Sequence, residues 1–300
     1  MQPVYIKSYR DPGFPAKIKT LNGFLSCCAL CPRSCKVDRL KGEKGVCEAG
    51  SQARIAAAYP HFGEEACLSG TKGSGTIFFS HCNLKCLFCQ NYEISHLAEG
   101  NDLNAEALAT TMLSLQALGC HNINLVTPTH FVPQIAEALG LAVKEGLNIP
   151  IVYNCGGYES GEVIDILDGL VDIYMPDAKF SSAEAAQKLC FAPDYFENLK
   201  KVLKKMHGQV GDLRIVDGIA QRGLLVRCLV MPEDYAGTKE IMEFIAQEIS
   251  VNTYVNIMDQ YRPSGQSFRL PRINRAITPQ EYHEAVETAR SCGLKRLETK

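Results

Sequence analysis

The sequence predicts an α/β protein: a Cys-rich N-terminal segment over residues 1–70, then a domain of parallel strands and helical crossovers over residues 71–300. Three observations carry that prediction. Up to about Gly70 the chain is rich in Cys, Gly and Pro and poor in periodic apolar stretches. Beyond it, short β-rich runs alternate with segments of helical period. The cysteines also cluster, one group upstream and one directly after the first β-rich run.

Six runs read as strands: Thr76–Ser80, Asn122–Thr127, Pro150–Asn154, Asp172–Asp177, Gly223–Met231 and Thr253–Gln260. Helices fit between them. Leu108, Met112 and Leu115 share one face, as do Ile135, Leu139 and Val143, and then Val163, Leu167 and Leu170. Phe196, Leu199 and Leu203 recur at helical spacing, and so do Ile241, Phe244 and Ile245. The last helix has the clearest start: Thr278 as N-cap, Pro279 at the first position, Glu281 completing a capping box, and Gly293 just past the end. Such alternation closes into a barrel or lies open as a doubly wound sheet, and periodicity does not choose between them. Either way, chemistry belongs at the carboxyl ends of the strands.

Composition removes several classes of function. With 46% apolar and 21% charged residues over 300 positions, the chain can bury a large core. A net charge of −2 gives no field to gather nucleic acid or anionic lipid. The basic run Lys200–Lys205 has helical spacing and reads as a solvated helix face. The start, MQPVYIKSYR, carries charges where a signal peptide needs apolar residues, and no run approaches the roughly 18 residues of a membrane span, so a cytoplasmic protein is expected. Fourteen cysteines are many for such a protein, and in a reducing compartment the clustered ones point to metal rather than to disulfides.

Directly after the first strand, Cys82, Cys86 and Cys89 stand in the spacing C-x3-C-x2-C. Thiolates suit zinc or an iron–sulfur cluster. Structural zinc needs four ligands, and the local sequence offers no fourth cysteine. A cubane on three cysteines leaves one iron open to a substrate or cofactor.

This spacing, with Phe88 just before the last cysteine, resembles the signature of the radical S-adenosylmethionine (SAM) superfamily. The resemblance implies a 4Fe-4S cluster on Cys82, Cys86 and Cys89, with SAM chelating the open iron. It implies reductive cleavage of SAM to a 5′-deoxyadenosyl radical that abstracts hydrogen, and an electron donor such as flavodoxin or ferredoxin. The segments His61–Glu65, Gly73–Ser80, Thr127–His130, Tyr153–Tyr158, Asp172–Lys179 and Met206–Leu213 look like the branch related to pyruvate formate-lyase activating enzymes, in particular its PflX-like iron–sulfur proteins. Coverage is most of residues 28–275, and the fold implied is a partial (β/α)6 barrel. By the same analogy Phe88 packs beside the adenine, and Asn154, Asp177 and Lys179 contact SAM or substrate, with Tyr153 facing the same mouth. One departure stands out: where activating enzymes carry Gly-Gly-Glu, this chain has Thr127-Pro128-Thr129-His130. Thr127 and Thr129 either accept from the SAM ammonium or cap the next helix. Arg227 and Arg262 are candidates for the SAM carboxylate or a substrate anion, against the plainer reading of surface roles, since Arg meets carboxylates through paired hydrogen bonds. His130 and Cys155, beside the expected mouth, are candidate catalytic residues, against the plainer reading of buried wall residues.

Upstream, Cys28, Cys31, Cys35 and Cys47 have the spacing C-x2-C-x3-C-x11-C, with Cys27 able to replace Cys28. Four thiolates suffice for structural zinc or for a fully ligated auxiliary iron–sulfur cluster, and the spacing does not decide. A segment this short has little core of its own, so bound metal would supply folding energy. Three functional readings follow: hydrogen abstraction from a partner protein or peptide, with glycyl-radical installation by analogy alone; the same chemistry on a small molecule; or a non-enzymatic iron–sulfur or zinc scaffold.

Overall fold

In a computed structural model, which describes residues 1–299, the six expected strands form a run of parallel neighbours. In chain order the strands are β1 (Ala53–His61), β2 (Ser74–Phe79), β3 (Asn101–Leu103), β4 (Ile123–Val126), β5 (Ile151–Cys155), β6 (Ile173–Pro176), β7 (Arg214–Val216), β8 (Ile219–Leu229), β9 (Tyr254–Met258) and β10 (Arg296–Glu298). Across the sheet the order is β10-β9-β8-β6-β5-β4-β2-β1-β3, with β7 paired antiparallel to β8. From β2 to β10 every neighbour along this path is parallel, whereas β1 and β3 add an antiparallel edge. Among the parallel strands the order never doubles back, as it would in a doubly wound sheet. Right-handed crossovers then put the helices on one face, and the sheet is an unclosed, barrel-like wall.

Its curl is visible in what the chain does after β1. Although β1 lies beside β2 at one side, Glu65, four residues beyond it, bonds Arg227 on β8 and Asn256 on β9. A flat sheet would keep these strands far apart. The next residues form a short helix, Ala66–Ser69, whose Cys67 and Leu68 pack with Val152, Ile173, Met175 and Leu225 on the concave face. Alternate residues Tyr153, Tyr174, Leu224 and Val226 point to the opposite face and join the large core beneath the helices. The Cys-rich segment and the strand domain therefore share one sheet, with residues 53–61 supplying β1.

The expected helices appear as Ala105–Ala117, Val132–Lys144, Gly161–Ile166, Tyr195–Val210, Thr238–Phe244 and Pro279–Ser291. Thr278 and Glu281 form the reciprocal capping box, and Gly293 takes φ +85° just beyond the C-cap. On the basic run, Lys200, Lys204 and Lys205 pair with Glu197, Glu248 and Asp165 on the surface. Sequence periodicity missed Ala183–Cys190 and the two N-terminal helices Val4–Tyr9 and Phe14–Gly23. Val4–Tyr9 is tied down by Tyr5, whose hydroxyl donates to Ile149 O at 2.7 Å, and by Asp172, whose carboxylate accepts from Val4 N–H at 2.7 Å. Among the described residues no helix is long and apolar enough to cross a membrane.

Leu68 is fully buried at the centre of the concave cluster. Leu68→Ala should cost about 2–5 kcal/mol, the range for a buried leucine truncated in a core that cannot collapse around the gap. Urea denaturation of the two proteins checks this.

Candidate active site

The loop after β2 is wound by left-handed backbone at His81 (φ +68°) and Lys85 (φ +46°), so Cys82, Cys86 and Cys89 turn toward one cavity of about 440 Å³ at the carboxyl ends of the strands. Two neighbours clamp the loop. Leu87 N–H donates to Leu189 O at 2.9 Å, and Leu87 O accepts from Gln266 N–H at 2.6 Å. Donors also reach the sulfurs: Leu84 N–H to Cys82 Sγ at 3.4 Å and Ser95 Oγ–H to Cys89 Sγ at 3.2 Å.

All three thiols are held away from ionisation. Burial pushes Cys82 up to about 12 and raises Cys89, while Cys86 is raised first by a hydrogen bond with Cys190 and then by burial. Thiolates are thus costly at this place unless a cationic centre compensates them, which is what a bound metal cluster does. Cys190 was not foreseen: 104 residues downstream of Cys86 in sequence, it is brought alongside by the helix Ala183–Cys190. Even so, among the described residues no three His, Cys, Asp or Glu side chains gather closely enough for a single metal ion. A cubane, with cysteines at its corners, asks for wider spacing than one zinc. The residues present fit such a cluster.

Strand ends bring five of the expected cofactor contacts to this cavity beside Phe88: Thr127, Asn154, Asp177, Lys179 and Arg227. Thr127 adopts φ +61° at the end of β4, and its N–H donates to Asn154 O at 2.8 Å. Lys179 Nζ donates to Asp177 at 2.6 Å. Burial works against the lysine charge, but Asp177 outweighs it and holds the ammonium protonated. Phe88 sits 5.9 Å from both Phe180 and Tyr261, a core aromatic that also lines the cavity. Cys155 borders it, but its thiol turns to Glu159 as Tyr153 does and is raised by burial.

Other candidates lie elsewhere. Thr129 is fully buried and donates to Glu159 Oε1 at 2.8 Å on the helix side of the sheet. Tyr153 turns the same way, its hydroxyl 2.9 Å from Glu159 Oε2, because residues on a strand alternate and Asn154 already faces the cavity. Burial lifts Glu159 to about 7 despite bonds from Thr129, Tyr153 and Cys155. No local sequence signal marked this carboxyl, since its partners come from three other positions. His130 is buried, its Nε2 2.8 Å from Ser80 O, and it lines a separate small pocket with Cys28, Cys31, Cys35 and Cys47 rather than the main cavity. Burial lowers His130 to about 3, so the ring is neutral. Arg262 is exposed and outside the cavity lining, and Cys27 is exposed while Cys28 is buried among the other three.

Arg227 has partners that sequence did not supply. Its Nε donates to Glu65 Oε1 at 2.7 Å and its Nη2 to Glu65 Oε2 at 2.6 Å, and Nη2 also bonds Glu64. Asn256 completes the group by donating to Glu65 Oε1 at 2.7 Å. Burial would raise Glu65, but the guanidinium and Asn256 more than offset it and keep the carboxylate ionised. Arg227, expected to meet the SAM carboxylate or a substrate anion, is instead engaged by two carboxylates of the chain itself. Arg227→Ala would leave Glu65, which is 3% exposed, as an unpaired buried charge. The expected loss is about 3–5 kcal/mol by urea denaturation, larger than any loss from an exposed ion pair.

Comparison with known proteins places this geometry. Residues 76–245, more than half of the chain, match the Radical SAM superfamily. An uncharacterised protein of Methanocaldococcus jannaschii is 30% identical over 287 residues, spanning 93% of this chain and 78% of the relative. Among solved structures, HydG, a maturase of the FeFe-hydrogenase, aligns with a TM-score of 0.49 at 12% identity, over 71% of this chain and 47% of HydG. Methylornithine synthase, PylB, aligns with a TM-score of 0.47 at 15% identity, over 72% of this chain and 68% of PylB. With its cysteine triplet on the loop after β2 and the family match running from β2 through β8, the chain belongs to the radical SAM superfamily.

Proposed function

We propose that this chain is a radical SAM enzyme of the PflX-like branch related to pyruvate formate-lyase activating enzymes, and that it abstracts hydrogen from a partner protein or peptide. When bound, a 4Fe-4S cluster and SAM supply reductive cleavage of the sulfonium and the radical that takes the hydrogen atom. Cys82, Cys86 and Cys89 would hold the cluster. Asn154, the Asp177–Lys179 pair and the backbone at Thr127 would orient SAM, and Phe88 would offer an apolar wall. Glu64 and Glu65 face a single Arg227, so two carboxylates against one guanidinium leave this wall net acidic, which suits a cationic sulfonium and ammonium.

The observation that carries the choice of a macromolecular substrate is the size of the cavity. At about 440 Å³ it lies near the low end of the range for one small-molecule ligand. SAM would take most of it, leaving the hydrogen donor to be presented from outside, as a chain segment can be. A low-potential one-electron protein such as flavodoxin or ferredoxin is the reductant this reading requires. Glycyl-radical installation rests on the branch resemblance alone.

Anaerobic protein reduced with dithionite should convert SAM to 5′-deoxyadenosine, and Cys86→Ala should reduce that yield to background. Unchanged product in the variant would remove the triplet from the mechanism. With SAM deuterated at the 5′ carbon and cell extract as substrate source, deuterium should enter one protein. Label in a metabolite instead would favour a small-molecule substrate, and no SAM cleavage under any condition would leave only the scaffold reading.

A further inference from the structure

The second cysteine group has a geometry that the proposed reaction does not use. Cys28, Cys31, Cys35 and Cys47 line one pocket with a void of about 10 Å³, room for about one water-sized sphere. The backbone is shaped to bring them there. Cys28 N–H donates to Val37 O at 3.0 Å and Lys36 N–H to Cys28 O at 2.9 Å, closing a loop in which Ser34 (φ +41°) and Lys36 (φ +57°) are left-handed. Gly45 lies against this loop so tightly that a Cβ would stand 2.8 Å from Cys35 Sγ.

Backbone amides point at three of the four sulfurs. Val46 N–H reaches Cys35 Sγ at 3.5 Å, and the amides of Arg33 and Ala49 bond Cys31 and Cys47. These amides hold the sulfurs in place around the pocket. His130 lines the same pocket, and its Nδ1 is buried with no hydrogen-bond partner among the described residues.

Which metal follows from the spacing. Four thiolates about 2.3 Å from one zinc stand roughly 4 Å apart and leave no void between them. Here a void remains, and no three described ligand-type side chains gather around a single point. A cubane holds its four cysteines farther apart than one zinc does, one at each corner.

We propose that Cys28, Cys31, Cys35 and Cys47 hold a second 4Fe-4S cluster, ligated by cysteine at all four irons. With no open iron it binds no SAM. Its place is against the back of the first cysteine loop: Arg33 Nε donates to Asn83 O at 3.0 Å and Nη2 to Cys190 O at 2.6 Å. Metal at Cys31 and Cys35 therefore fixes the residue that braces the Cys82–Cys89 loop.

The site can be read in isolation in a Cys82→Ala, Cys86→Ala, Cys89→Ala triple variant reconstituted anaerobically with iron and sulfide. About four irons and four sulfides per chain are expected, with a dithionite-reduced paramagnetic signal that SAM does not alter. In that background Cys31→Ser should shift or abolish the signal, Gly45→Ala should lower the iron content, and Cys27→Ser should change neither. One zinc per chain without iron, no metal at all, or iron indifferent to Cys31→Ser would overturn the proposal. If the triple variant does not fold, Cys47→Ser in the otherwise intact chain should lower iron from about eight to about four per chain while the SAM-sensitive signal persists; iron holding at about eight would reject the second cluster. Because SAM cleavage is not the readout, failure here is distinct from failure of the proposed reaction.

Discussion

A buried ion pair holds the curl of this sheet. Glu65 follows an edge-side strand, yet its carboxylate meets Arg227 on β8 and Asn256 on β9 across the concave face. Removing two charges from water is expensive, and the cost is offset only by bidentate geometry with the remaining lone pairs satisfied. Both conditions are met here. The short helix that follows then brings Cys67 and Leu68 into the concave cluster, so one polar contact sets both the curvature and the floor of the cavity above it.

Above that floor, the carboxyl ends of β2, β4, β5, β6, β8 and β9 each deliver a residue or loop to one space. Parallel strands in sequential order make this unavoidable, since every strand ends on the same side. The cysteine loop is constrained by its neighbours. It is held from the side by the backbone of Leu189 and by the 260–266 loop, where Gly265 (φ +57°) approaches so closely that a Cβ would lie 2.7 Å from Leu87 O. Its thiols are buried and disfavoured as anions, which makes sense in a site built to be completed by metal.

The N-terminal segment is not an appendage to this arrangement. Arg33 binds the cysteine loop, Arg39 donates to His130 O at 2.7 Å, and Lys85 pairs with Glu48. Residues rich in Cys, Gly and Pro are thereby used twice: they gather four thiols of their own, and they back the loop that carries the other three.

Much of this was legible in order along the chain. The six parallel strands, the main crossover helices and the capping box at Thr278 follow from local periodicity and cap chemistry, because those signals repeat within a few residues. The cysteine triplet was legible for the same reason: its ligands sit on one short loop. What sequence left undecided was everything set by contacts between distant positions. Periodicity left the sheet's topology open, and only the family resemblance implied the partial barrel; tertiary structure turned Thr129 and Tyr153 toward Glu159, set His130 beside the upstream cysteines, brought Cys190 to Cys86, and gave Arg227 to Glu64 and Glu65. Spacing along a chain fixes which groups can share a loop or a face; which loops then meet depends on how the sheet bends and which buried charges must be paired.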